Sequence, residues 1–189
     1  MKRFKLVLFA GILLGIGLFV IVNVIKPAFL FSSTQRIGLT GRWGVDSLPQ
    51  NILRLISEGL TITNSDGSVS PGLAASWSTT DNGSTWVFYL DPQKIWQDGK
   101  KVTSDSIKYS FSDAKVEKPD DKTLVFKLNS PFAPFPTVVS KPTFKKGLLG
   151  VGDWKVTKIT MNGNYVSNLT LKDKNGNRKI FRFYPALSP

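Results

Sequence analysis

Eight consecutive residues, Thr40-Gly41-Arg42-Trp43-Gly44-Val45-Asp46-Ser47, gather a cation, an aromatic ring, a carboxylate, a hydroxyl pair and two glycines. That set suits non-covalent recognition of a small zwitterion. Arg42 could fork onto a carboxylate end, Asp46 could hold an amine, and Trp43 could stack on a side chain. The glycines allow backbone to approach a ligand, and a helix starting just after the loop would offer its N-terminal N–H groups to a carboxylate. The candidate ligand-binding residues are therefore Arg42, Trp43, Gly44, Asp46 and Ser47. The same residues also suit a solvated glycine loop.

Other chemistry is excluded more firmly. The chain has no cysteine and no histidine, so thiolate nucleophiles, imidazole bases, disulfides and the usual zinc ligands are all missing. Trp96-Gln97-Asp98-Gly99 pairs an aromatic with a carboxylate, but Asp98-Gly99 reads as a turn after a strand, with Trp96 in the core. Trp77 and Trp86 read as core payloads too. Asn64 to Ser68 and Asp173 to Asn177 each resemble half a calcium loop. Val69 and Arg178 stand where the sixth-position glycine belongs, and Ala75 and Tyr184 where the twelfth-position glutamate belongs. Asp120-Asp121 reads as a turn. No phosphate-cradling or nucleophile motif is present. No enzyme, catalytic residue, metal or cofactor is expected.

The elements that must position the loop start with a targeting segment. Leu6 to Ile25 is apolar apart from Asn23, and twenty residues at about 1.5 Å each cover about 30 Å, a bilayer's hydrocarbon core. Leu6, Phe9, Leu13, Phe19 and Ile25 sample this expected membrane face. Lys2, Arg3 and Lys5 precede it, which sets the N-terminus in the cytoplasm and the rest outside as a single-pass cell-membrane protein. A cleaved signal is the rival, set against by the length of the run and the lack of a clean small-x-small site. Beyond it the chain is basic, which draws anionic lipid, wall polymer or acidic ligands; its location sets nucleic acid aside. Lys172, Lys174, Arg178, Lys179 and Arg182 cluster as a possible anionic-surface contact or a solvated hairpin face.

Downstream, Arg36 to Arg42 reads as a strand leading into the loop. Leu48, Ile52, Leu55 and Ile56 recur at helical spacing, with Asp46 or Ser47 as N-cap and a stop near Gly59. Thr103 is a candidate N-cap for a short helix with Ile107 and Phe111 on one face. Thr85 to Leu90, Thr123 to Leu128 and Lys155 to Thr160 read as strands. A hairpin joins Tyr165–Leu171 to Lys179–Tyr184. The sum is mixed α and β with more strand than helix.

Three stretches carry a resemblance. Pro71-Gly72-Leu73-Ala74-Ala75-Ser76-Trp77 is similar to a P-x-L-A-x-S-W segment. Trp96-Gln97-Asp98-Gly99-Lys100-Lys101-Val102-Thr103-Ser104-Asp105 resembles W-x-D-G-x-x-V-T-A-x-D. Asp121 to Leu128, with Pro131-Phe132-Ala133-Pro134-Phe135, resembles D-x-T-V-x-F-x-L and P-x-A-P-F. Together they resemble the extracellular substrate-binding proteins of oligopeptide, dipeptide and nickel ABC importers, from about Gly38 to Pro185. The resemblance implies an α/β (mixed α+β) fold: one strand-rich lobe of a periplasmic-binding-protein type II-like architecture, here preceded by one transmembrane helix. It implies recognition of a peptide or similar small solute beside an ABC permease.

The chain departs from that family in length. Its members close two lobes on a ligand, whereas here the second lobe and two internal stretches, after Phe111 and after Phe135, are short or missing. The expected organisation is residues 1–31 as basic tip and anchor or uncleaved signal, 32–37 as linker, 38–185 as the lobe and 186–189 as a tail. An anchored extracellular scaffold, a truncated fragment and a clamp completed by a second-lobe chain are the alternatives.

Overall fold

The computed structural model describes residues 2–20 and 32–185, with side chains described from Phe9 onward except Ala10. Its larger core is built on two strands whose sequences alternate. In β5 (Thr85–Leu90, TWVFYL), Trp86, Phe88 and Leu90 are buried; in β7 (Thr123–Leu128, TLVFKL), Leu124 and Phe126 join them. The register sets Trp86 opposite Phe126 and Phe88 opposite Leu124. Their rings mesh: Phe88 meets Phe126 edge-on at 5.6 Å, and Phe126 meets Phe135 of the one-turn helix Phe135–Val138 at 5.1 Å. Strands β4 (Ala74–Thr80) and β6 (Ala114–Asp120) flank them, giving an antiparallel sheet of order β4-β5-β7-β6. Outside it, Glu117 accepts from Lys115 and Lys127 at 2.8 and 2.9 Å, hydrogen bonds that hold its carboxyl down to about 2.

The second sheet has the order β1-β10-β9-β8. Strands β8 (Lys155–Asn162), β9 (Tyr165–Lys172) and β10 (Arg178–Tyr184) are antiparallel neighbours, and β1 (Thr34–Thr40) lies parallel to β10. Its inner face buries Leu169, Leu171, Phe181 and Phe183 against Ile52, Leu53 and Ile56 of the helix Gln50–Ile56. A short ribbon, β2 (Thr61–Thr63) with β3 (Val69–Pro71), leads into β4.

The two cores are joined at the end of that helix. A helix leaves its last carbonyls without internal partners. Here Leu55 and Ile56 oxygens accept from Trp154 N at 3.3 Å and Gly152 N at 2.8 Å. The Gln97 side chain adds three donations, to Gly152 O, Trp154 O and Ile56 O at 2.8, 3.0 and 3.3 Å, and accepts from Gly150 N at 3.3 Å. The backbones are so close that a Cβ on Gly150 would stand 2.1 Å from Ile56 O.

Several expectations need correction. The helix after the loop runs only Gln50–Ile56, capped by Pro49 without a side-chain hydrogen bond, so neither Asp46 nor Ser47 caps it. Pro49 fixes the reason: as the cap, it delays the helix beyond Leu48. Leu53, not Leu55, completes the buried face. Thr103 does cap, sharing a capping box with Ser106, but only the single 3-10 turn Ser104–Ser106 follows. Ile107 turns extended (φ −97°, ψ 132°) and is buried, and Tyr109 and Phe111 pack at every second position on the same core, which an extended segment allows and a helix does not. Strand β1 already takes up Thr34 to Ile37 of the segment expected as linker.

At the N-terminus, α1 (Lys2–Val20) is helical and exposes Phe9, Leu13 and Phe19. Among the described residues, no helix is long and apolar enough to cross a membrane. Of the span expected from Leu6 to Ile25, the residues up to Val20 are helical, while residues 21–25 and the Leu6 side chain lie outside the described residues.

Gln97→Leu should lower unfolding free energy by about 2–3 kcal/mol, because the carbonyls it served are left without a donor. Urea unfolding followed by circular dichroism measures this; a loss below about 0.5 kcal/mol would show that the joint does not rest on Gln97.

Candidate functional site

The loop after β1 is shaped by its own contacts. Gly41 sits at φ +129° with its N–H donating to Tyr184 O at 2.8 Å, and the Trp43 indole lies against it. A Cβ at residue 41 would stand 2.6 Å from Trp43 Nε1, so only glycine fits. The Trp43 ring packs on the second core, and its Nε1 is buried without a hydrogen-bond partner among the described residues. Gly44 N–H donates to Ser47 Oγ at 2.9 Å, closing the 3-10 turn Val45–Ser47. That turn and Leu48 separate the loop from Gln50–Ile56, so the expected helix N-terminus does not meet the loop.

The two charged members diverge. Arg42 lies over the Tyr165 ring, 5.7 Å from its centroid, beside a hollow of about 280 Å³ that Asn162 and Phe183 also line. Asp46 lines a different hollow of about 250 Å³, with Leu53, Lys108, Lys141 and Thr143. The structure therefore brings Trp43, Gly44 and Ser47 together as the loop's frame and parts Arg42 from Asp46.

The Asp46 hollow is the first of three that share walls. Lys108, Lys141 and Thr143 also line a neighbour of about 320 Å³, which adds Tyr109, Phe111 and Val138. Phe111 and Val138 continue into a third of about 360 Å³ with Leu128, Phe132 and Asp113. The run begins polar, with one carboxylate and two exposed cations, and ends apolar and aromatic. Tyr109 stacks on Phe111 at 5.7 Å, and its hydroxyl donates to Val139 O at 3.2 Å. Burial pushes that hydroxyl well above the usual tyrosine range.

Lys108, Tyr109, Phe111 and Lys141 are lining residues that sequence reasoning does not name; the first three lie where a helix is expected after Thr103. The signal was present: Ile107, Tyr109 and Phe111 alternate at period two, the spacing of an extended segment facing a core. The two calcium-like loops are turns. Ser68 N and Oγ both donate to Asp66 Oδ1, and Asn175 N and Asn177 N both donate to Asp173 Oδ1. Among the described residues, no group of three or more carboxylates could hold a metal.

Comparison with known proteins places this geometry. The family described as bacterial extracellular solute-binding proteins, family 5, middle region, matches residues 68–169, more than half of the 189-residue chain. The probable D,D-dipeptide-binding periplasmic protein of Escherichia coli K12 is 34% identical over 82 residues, covering 35% of this chain and 16% of that protein. The periplasmic murein peptide-binding protein of the same organism is 37% identical over 89 residues, covering 47% and 15%. The solved structure of a Bacillus subtilis oligopeptide-binding protein in complex with a nonapeptide superimposes with a TM-score of 0.62 at 15% identity, covering 81% of this chain and 40% of that one. The match therefore spans about a sixth of those curated relatives and two-fifths of that structure.

Tyr109 supplies a test of the wall. Its raised folded value means that deprotonation above about pH 10 favours the unfolded chain, so stability falls as pH rises past that point. An ultraviolet titration of the chain beside Tyr109→Phe should show the Tyr109 phenolate appearing only as the chain unfolds. A Tyr109 phenolate signal while circular dichroism still reports the folded chain would mean the wall is open to water.

Proposed function

Because the chain belongs to the bacterial extracellular solute-binding proteins of family 5, we propose that it recognises a peptide or similar small solute, non-covalently, in the run of hollows from Asp46 to Phe132. The carrying observation is that Asp46, Lys108 and Lys141 line one hollow while Tyr109, Phe111 and Val138 line the next. An amine would meet Asp46, a carboxylate the lysines, and apolar side chains the aromatic end. Trp43, Gly44 and Ser47 hold the loop, and Arg42 stands outside the contact. The absence of catalysis in this reading rests on the family. A solute held from one side keeps much of its water, so binding by this lobe alone is weak; an ABC permease, or a chain supplying a second lobe, would be the partner.

The chain is further proposed to sit outside the cell on its N-terminal helix. Six large apolar side chains of α1, from Phe9 to Leu18, are exposed to solvent. The apolar sequence continues to Ile25, and an apolar medium would cover it.

Two measurements test this reading. With the full chain in detergent, a peptide at about a hundred times its Kd adds about 2.7 kcal/mol, raising Tm by roughly 5–10 °C. Asp46→Asn should remove most of that rise while leaving the ligand-free Tm within about 2 °C. A Tm indifferent to a mixed peptide library would overturn peptide recognition by this lobe. For the anchor, the chain should remain in membranes after alkaline carbonate washing, with its lobe open to protease from outside; release into the wash would overturn it.

A further inference from the structure

The outer face of the second sheet carries charge of one sign. Register places Thr34, Arg178, Lys172 and Lys155 in one row across the four strands. The next row is Arg36, Ile180, Thr170 and Lys158, and the third is Gly38, Arg182, Asn168 and Thr160. All six cations in these rows are exposed, and none takes part in an ion pair among the described residues. The four strands contain no aspartate or glutamate. The inner face is apolar and buried, so this sheet is one-sided.

The first row sets three like charges directly across from one another, which costs a sheet stability unless something negative meets it. That something is not a packed protein layer. A helix or second sheet laid here would bury six unpaired cations, at a desolvation cost no contact on the face could offset. An extended anionic surface leaves them hydrated on one side and relieves their repulsion.

Position along the chain selects which surface. The cation-rich row lies at Thr34, where β1 begins, and the gradient falls away from it through Arg36 to Arg182. Thr34 is fourteen positions beyond Val20, the last described residue of α1, so at no more than about 3.6 Å per residue the row cannot stand farther than about 50 Å from Val20. We infer that this face docks on the anionic phospholipid headgroups of the membrane that holds the helix. The six cations act as a second attachment, laying the sheet on the bilayer and turning the opposite side, where helix Gln50–Ile56 packs, away from it. The inference rests on the proposed anchor for nearness, but the charge pattern stands without it.

The chain has no cysteine, so single labels are specific. Full-length chain carrying Thr170→Cys on the face, or Ser76→Cys on β4 as a control, would be labelled and reconstituted into vesicles containing acceptor-labelled headgroups. Energy transfer from residue 170 should rise when phosphatidylglycerol replaces neutral lipid, fall back in about 1 M salt, and stay flat from residue 76. The triple variant Lys155→Gln, Lys172→Gln, Arg178→Gln should lose the rise without losing Tm, each cation removed lowering attachment on the order of fivefold. Transfer from 170 that ignores lipid charge overturns the docking, even where soluble polyphosphate binds the same lysines. A chain that washes off neutral vesicles fails the anchor alone. In that event, salt-sensitive retention on phosphatidylglycerol vesicles still supports the face, and no retention overturns it.

Discussion

The carbonyl groups at the end of one seven-residue helix organise this molecule. Gln50–Ile56 is too short to be stable by itself, and it finishes with oxygens that need donors. Ser57 N supplies one to Leu53 O at 2.9 Å, and the 150–154 segment supplies others to Leu55 and Ile56. Gln97 binds the helix end and that segment together through one amide. Because Gln97 belongs to the first core and the helix to the second, satisfying these oxygens fixes how the cores meet. The lost side chain at Gly150 is the steric condition for it: any Cβ would collide with the carbonyl being satisfied.

The run of hollows depends on that joint. Its first member is walled by Asp46 and Leu53 from the second core and by Lys108 and Lys141 from the first. Supporting contacts cross the same gap: Ser57 Oγ donates to Thr143 O at 2.5 Å, and Thr143 N donates to Glu58 O at 3.0 Å. Lys94 pairs with Glu58, and Lys145 meets Asp98 at 2.7 Å. A site whose two walls come from different cores needs such cross-ties to keep its width. The ion pairs are partly open to water and add little, so the buried Ser57 hydroxyl and the backbone amide contacts set the spacing.

Much of this was legible in the sequence because it depends on neighbours. The alternation of TWVFYL and TLVFKL gives the central strands, Asp173-Lys174-Asn175-Gly176-Asn177 gives the hairpin turn, and Asp98-Gly99 gives the turn beside buried Trp96. What could not be read there depends on distant partners. Nothing near Thr34 announces that it will lie parallel to Arg178, and β6 is polar enough to pass for a loop until β7 offers it a ladder. The segment after Ser106 is extended for the same reason: the core on which Ile107, Tyr109 and Phe111 pack is supplied by distant strands. At the candidate site, residue types were readable but their convergence was not. Arg42 and Asp46 are four apart in sequence, yet with Trp43 packed against the core between them they line different hollows.

Charge is divided along the same joint. Eleven of the thirteen acidic residues fall between Asp46 and Asp121, in the loop, the helix and the first core. There they find lysines: Glu58 with Lys94, Asp98 with Lys145, Glu117 with Lys115 and Lys127. The cations on the outer face of the second sheet have no ion-pair partner among the described residues, and strand register lines them up there. Inner positions of the same strands are apolar, and Lys179, the one strand cation turned inward, covers the Trp154 ring at 4.8 Å. A sheet that needed only solubility would mix both signs on its exposed face, as the first sheet does with Glu117 between Lys115 and Lys127. Keeping one sign across all four strands maintains a repulsion that water and salt only screen, which is the pattern an external negative charge would relieve.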